Sequence, residues 1–233
     1  FVFIDGYPLS DEAGNTLTNV AAVAFKEEQC GYFAGYAVVK DGFTKLGFSG
    51  GGGGTNDACC RYGYGFVQGA NAAAADMGVT VDMNYSWEYG SSFSASPELQ
   101  TMANGWYESG TEVIFACGGS MFQSIAAAAS ANDGFVVGVD VDQSSQSDTV
   151  ITSAMKGLKE ATISALTKLF DGTWADIGGK VETLNLQAGD FVGLPTAEAS
   201  WGFKTFTMDE YNQLIEDIRS GKLVVSDEIA ESS

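Results

Sequence analysis

The chain has 233 residues, with 11 Lys and Arg against 30 Asp and Glu, a formal charge of −19 and no histidine. Such an acidic surface argues against nucleic acid and anionic membrane surfaces as partners, because both recruit positive patches. The lack of imidazole rules out Ser-His-Asp and Cys-His catalysis. No apolar run reaches the roughly 20 residues that cross a bilayer as a helix.

In chain order, Phe1-Val-Phe-Ile-Asp5 reads as a strand that stops on a carboxylate. This opening has neither an initiating methionine nor a signal-peptide pattern, so the expectation is a fragment or processed piece of something longer. Val20 to Phe25 reads as a second strand, followed by a helix over 27–40. Lys45 to Ser49 is a short strand running into five glycines, Gly50 to Gly54. The alanine-rich stretch 57–77 has a helical pattern, and Val79 to Trp87 reads as a strand.

Ser96-Pro97-Glu98 opens a helix with a polar cap and a proline at the first helical position. Gly110 stops it. Val113 to Cys117 is a strand, 120–130 a helix, and Phe135 to Asp140 a strand that again ends on a carboxylate. Val150 to Lys156 is another apolar run, ending on a lysine at the mouth of a helix that extends to Phe170.

After Gly178-Gly179 the pattern changes, and Val181–Leu186 with Asp190–Leu194 reads as a hairpin. Thr207-x-x-Glu210 is a capping box that starts a last helix, ending near Gly221. The polar, acidic tail 226–233 is expected to fray.

Strands alternating with helices imply βαβ units and a parallel sheet. Such a sheet gathers the carboxyl ends of its strands at one edge, where open α/β folds bind ligands. The residues at or just past these strand ends are Asp5, Ser49 with the glycine run, Phe93, Gly118-Gly119-Ser120, Asp140 and Lys156. Carboxylates accept hydrogen bonds from sugar hydroxyls, and an aromatic face stacks on a flat ring. The set therefore suits a neutral, hydroxyl-rich ligand carrying a planar ring. The plainer readings are that Asp5 and Asp140 cap loops, Phe93 plugs the core and Lys156 is a solvated first-turn lysine, although the helix dipole disfavours a lysine there.

The glycine run fits neither a P-loop, which ends in Gly-Lys-Ser/Thr, nor a dinucleotide fingerprint, because Thr55 stands where a glycine is needed. Gly118-Gly119 at a helix start makes a better donor nest. Asp140 and Asp142 could hold a cation or act in glycoside cleavage, but Asp142 reads as a surface residue beside a turn. The cysteines, Cys30, Cys59, Cys60 and Cys117, have poor metal spacing, with Cys117 reading as a small buried hydrophobe.

The segments Phe1-Val-Phe-Ile-Asp5, Phe25-Lys-Glu-Glu28 with Gly35-Tyr36, Tyr89-Gly-Ser-Ser-Phe93, Val113-Ile-Phe-Ala-Cys-Gly-Gly119, Val137-Gly-Val-Asp-Val-Asp-Gln143 and Thr152-Ser-Ala-Met-Lys156 carry a resemblance along nearly the whole chain. It resembles the basic membrane protein family of bacterial substrate-binding lipoproteins, which serve ABC importers of purine nucleosides. The resemblance implies a type I periplasmic-binding-protein-like α/β fold of two lobes, each with a parallel sheet flanked by helices. It assigns 1–22 and 143–175 to the remainder of a first lobe, and 23–142 with 176–233 to the second.

It implies a purine stacked on Phe93 and ribose hydroxyls bound to Asp140 with Lys156 nearby. Asp5 reaches in from the other lobe, and the Gly118-Gly119 backbone closes the pocket. No cofactor, metal or catalytic role is implied. The implied partners are a purine nucleoside and an ABC permease. The implied location is extracytoplasmic, with the membrane met only through an N-terminal lipid anchor outside this chain. Family members begin with further βα units absent from this sequence, so the first lobe is incomplete. The glycine run is also longer and more flexible than the family pattern suggests. The alternatives are a ligand-sensing domain of a regulator or receptor on the same fold, or a nucleoside- or sugar-processing enzyme.

Overall fold

The computed structural model describes residues 1–228, so the end of the expected frayed tail, 229–233, lies outside the described residues. The strands are β1 (Val2–Ile4), β2 (Ala21–Phe25), β3 (Lys45–Gly50), β4 (Asp82–Ser86), β5 (Val113–Cys117), β6 (Phe135–Asp140), β7 (Val150–Lys156), β8 (Val181–Leu184) and β9 (Val192–Gly193). The helices are α1 (Glu27–Lys40), α2 (Asp57–Met77), α3 (Pro97–Glu108), α4 (Met121–Ala131), α5 (Leu158–Phe170) and α6 (Met208–Arg219).

Local chemistry sets many of these limits. Asn56 caps α2 by accepting from the Cys59 N–H, and Gly78 ends that helix in the left-handed region. Ser96 Oγ takes the Leu99 N–H at the start of α3. Thr207 and Glu210 cap each other's backbone at α6, as their spacing implies. Strand β5 is buried at every position, which explains its unbroken apolar run.

The strands form two sheets. A three-stranded parallel sheet has the order β1-β2-β8, and a six-stranded sheet has the order β4-β3-β5-β6-β7-β9. The larger sheet is parallel except for β9, which runs antiparallel to β7. Its winding reverses between β3 and β5, the point at which open α/β sheets leave a crevice for ligands. The expected α/β class, with parallel sheets flanked by helices, is what forms.

Three details differ from the sequence reading. Val181–Leu186 and Asp190–Leu194 do not make a hairpin: β8 pairs with β2 in the small sheet, while β9 pairs with β7 in the large one. The link between them crosses from sheet to sheet, fastened where the Leu186 N–H donates to Gln29 Oε1 at 3.1 Å. Lys156 is the last residue of β7 rather than part of the helix, which starts at Leu158. Sheet membership also departs from the expected lobe limits: the 22/23 boundary cuts β2, and 143–175 divides between β7 in the large sheet and α5 against β1.

Helices α1 and α2 cover one face of the large sheet over Phe33, Phe48, Phe66 and Phe115. On the other face α3 and α4 bury Leu99, Ile114 and Ile125. The α1–α2 contact is backbone on backbone. Gly31 and Gly35 of α1 and Gly65 and Gly69 of α2 each lie where an added Cβ would collide with a carbonyl oxygen of the facing helix. Small residues four apart on both helices let the two axes close to this distance. At the small sheet, Phe1 just before β1, Phe3 on β1, and Ile163, Leu166, Leu169 and Phe170 on α5 stand exposed.

Overpacking a rigid backbone contact costs about 1–3 kcal/mol or more. Urea unfolding of Gly35→Ala should therefore show a loss of at least about 2 kcal/mol. Gly105, exposed in α3 with open space around its Cα, gives the opposite sign. Gly105→Ala should gain about 0.5–1 kcal/mol through helix propensity alone.

Candidate functional site

The site grows from one buried ammonium. Lys156 ends β7 with its side chain 3% exposed, and its Nζ lies 2.9 Å from Asp5 Oδ1, 3.2 Å from Glu27 Oε1 and 3.4 Å from Asp140 Oδ1. The rings of Tyr62 and Phe25 flank the same nitrogen at 5.4 and 5.6 Å. An ammonium has three N–H donors, and three carboxylates surround it. Burial alone would push Lys156 down, but Asp140, Glu27 and Asp5 outweigh it and hold the ammonium above its ordinary range. The reading of Lys156 as a solvated first-turn lysine is thereby corrected.

The three carboxylates come from three elements. Asp5 follows β1 in the small sheet, Glu27 opens α1, and Asp140 ends β6 in the large sheet. Asp140 Oδ1 also accepts the Tyr62 hydroxyl at 3.0 Å. Asp5 and Asp140 spend Oδ1 on the ammonium while their side chains stay 40% exposed, so Oδ2 of each remains to accept hydrogen bonds from the cavity. Glu27 is different. It is buried between Lys156 and Arg61, whose Nε donates to Glu27 Oε2 at 2.7 Å.

Its neighbour Glu28 is also fully buried, with Lys26 Nζ 3.2 Å away but no aligned hydrogen bond to either oxygen among the described residues. Burial raises the Glu28 carboxyl above its ordinary range. Both glutamates sit in the first turn of α1, where the helix dipole favours negative charge.

All six residues expected at the site line one cavity of about 150 Å³: Asp5, Phe93, Gly118, Gly119, Asp140 and Lys156. An adjoining cavity of about 230 Å³ shares Asp5, Asn56 and Ala58, and adds Tyr7, Glu27, Asp57 and Arg61. Asp5, Phe93 and Asp140 all carry positive φ, at 59°, 58° and 65°. Non-glycine residues adopt this left-handed region rarely, and a bulky one such as Phe only where the surroundings force it. At Phe93 the forcing is visible. Its carbonyl accepts the Ser120 N–H at 3.0 Å and the Ser120 hydroxyl at 3.2 Å, and its ring lies so close over Gly51 that a Cβ there would clash.

The glycine run therefore has a packing role. Gly52–Gly54 forms a short 3₁₀ turn beneath Phe93 and Trp87. Its Gly51 and Gly52 N–H groups donate to the carbonyls of Cys117 and Gly90, so the phosphate-cradle reading lacks those donors. The expected donor nest at Gly118-Gly119 is reduced in the same way, because the Gly118 N–H donates to Ala116. Gly118 instead allows close approach to the Gly51 backbone. Asp142 is exposed just past the end of β6, as expected for a surface residue, and takes the Ser200 hydroxyl at 2.5 Å and the Ser144 N–H at 3.0 Å.

Sequence reasoning missed Tyr62, Glu27, Asn56 and Arg61. Tyr62 and Arg61 lay inside an alanine-rich helix whose pattern singled out neither. Glu27 carried one usable signal: two adjacent glutamates come directly after a strand, where a buried first turn meets the sheet edge.

Removing one partner from a buried ion cluster leaves uncompensated charge. Lys156→Met should lower unfolding stability by about 3–5 kcal/mol at neutral pH, measured by urea titration. Glu28 has the reverse sign. Its folded-state carboxyl is raised, so the charged form destabilises the fold above that value and the cost disappears below the unfolded value of about 4.3. Glu28→Gln should be more stable than the parent at pH 7 and equal to it at pH 4 in the same titration.

The family of PnrA-like ABC transporter substrate-binding proteins matches residues 1–229. Basic membrane protein B of Borreliella burgdorferi is 36% identical over 183 residues, covering 77% of this chain and 51% of that protein. The ABC transporter nucleoside-binding protein BmpA of Lactococcus lactis is 28% identical over 227 residues, covering 89% of this chain and 60% of its own length. The chain thus spans about half to three fifths of these curated relatives.

In structure, an ABC transporter system solute-binding protein from Aeropyrum pernix superposes with a TM-score of 0.72 at 19% identity, over 97% of this chain and 71% of that one. That likeness shows the fold. The match along nearly the whole chain shows the family: this chain belongs to the PnrA-like substrate-binding proteins of ABC transporters.

Proposed function

We propose that this chain serves an ABC importer as its extracytoplasmic component that binds purine nucleosides. The observation that carries the reading is the convergence of Phe93, Asp5 and Asp140 on one cavity at the winding reversal of the large sheet. The lining supplies an aromatic face for a planar base and two half-exposed carboxylates for sugar hydroxyls. Family membership and the nucleoside-binding relative support the same ligand class.

In this reading Phe93 stacks on the purine and Asp140 accepts from the ribose hydroxyls. Asp5 reaches the ligand from the small sheet. Lys156 acts through the carboxylates it gathers, because its three donors already face three acceptors. Gly118 and Gly119 form a wall without side chains. The contact of Asp5 with Lys156, which joins the two sheets, and the neighbouring contact of Asp140 with Lys156 are the ones a bound sugar adjusts. Ligand binding then shifts an open–closed equilibrium that a membrane permease reads. No bond is made or broken. A lipid anchor outside this chain would hold the protein at the membrane.

Calorimetry on the full-length protein tests the roles. Phe93→Ala should weaken purine nucleoside binding by about 1–3 kcal/mol, the range for loss of base stacking; unaltered affinity would remove the base from Phe93. Asp140→Asn should weaken ribosides more than 2′,3′-dideoxy analogues, through loss of charge-assisted hydrogen bonds. An equal loss for both would remove the ribose role.

A further inference from the structure

Two sulfurs share the cavity with these residues. Cys59, in the first turn of α2, and Cys117, the last residue of β5, both line it, and neither is in a disulfide. Cys59 Sγ donates to the Cys117 carbonyl oxygen over 3.7 Å, so the thiol of one already touches the backbone of the other. The remaining cysteines are tied elsewhere: Cys30 Sγ donates to the Met155 carbonyl at 3.1 Å, and Cys60 Sγ to the Gly54 carbonyl at 3.4 Å.

The two thiols are chemically unequal. Cys59 sits at the positive end of a 21-residue helix, its N–H held by Asn56 Oδ1 at 3.0 Å. Hydrogen bonding with the Cys117 thiol holds Cys59 below the usual thiol range, while burial pushes Cys117 well up. Cys59 is 7% exposed and Cys117 1%. Both therefore meet solvent chiefly through the cavity they line, and Cys59 is the sulfur that an incoming oxidant reaches first.

We propose that Cys59 and Cys117 form a peroxide-sensitive thiol pair in the wall of this cavity, and that ligand filling the cavity shields the pair from oxidant. The second half rests on the reading of the cavity as a nucleoside site. The Cys59 thiolate attacks one oxygen of hydrogen peroxide and the O–O bond breaks. Hydroxide leaves and takes up a proton, and Cys59 becomes a sulfenic acid. The Cys117 sulfur then attacks the Cys59 sulfur, the S–O bond breaks, and a second water departs with the Cys117 proton. In sum, two thiols lose two hydrogens and one peroxide is reduced to two waters.

The test is oxidation of the reduced, full-length protein with hydrogen peroxide, followed by thiol blocking and peptide mass spectrometry. The expected product is a cross-link between the peptides holding Cys59 and Cys117, lighter by two hydrogens, in the parent and in Cys60→Ser. Cys117→Ser should stop at a trappable sulfenic acid on Cys59, and Cys59→Ser should give no cross-link. A Cys59–Cys60 bond, sulfinic acid at Cys59 in the parent without a cross-link, or no oxidation at either sulfur would overturn the pair.

Saturating inosine should slow cross-linking at least tenfold. If calorimetry shows inosine bound and the rate is unchanged, the shielding is overturned. If inosine does not bind at all, the nucleoside reading fails, and the cross-link alone decides the thiol pair.

Discussion

One nitrogen organises this site. A buried ammonium is tolerated only when its donors are met by well-placed acceptors, and Lys156 meets that demand with carboxylates at the end of β1, the start of α1 and the end of β6. The demand fixes where those elements end relative to one another. It also joins the two sheets, since Asp5 belongs with one and Lys156 and Asp140 with the other. A chain with so many acidic residues can tolerate carboxylates crowding a cleft because this cation, backed by Arg61 and Lys26 beneath, offsets them.

The second constraint is the glycine contact between α1 and α2. With no Cβ atoms in the way, the helices pack at backbone distance and their first turns arrive together at the sheet edge. Glu27 of α1 and Arg61 of α2 then come within 2.7 Å, and Tyr62 reaches across to Asp140. The glycine run after β3 serves a related purpose, leaving room for the Phe93 ring and for the backbone of Gly118.

Much of this was legible in the residues and some was not. Strand-end reasoning collected Asp5, Phe93, Gly118, Gly119, Asp140 and Lys156, because parallel strands send their carboxyl ends to one edge whatever the loops between them do. The saturation of Lys156 was not legible, since it depends on distances to elements at the opposite end of the chain. The pairing of β8 and β9 was misread for a similar reason: a short turn-like link between two β-rich segments looks local, and only the sheets show that the segments part. Glu27 and Arg61 stayed hidden because charged residues in helices are solvent-facing by default, and only backbone-level packing buries these two.

The left-handed backbone at Asp5, Phe93 and Asp140 has a consequence for how such a chain can change over generations. Each of these residues holds a conformation that glycine would adopt at less cost, by about 1 kcal/mol or more. At Asp5 and Asp140 that gain is outweighed, because losing either carboxylate would leave the buried Lys156 ammonium short of an acceptor at a cost of about 3–5 kcal/mol. Phe93 is held in the same way by its ring's packing over Gly51, so a descendant could relax this backbone to glycine only by dismantling the ion cluster and the ring together.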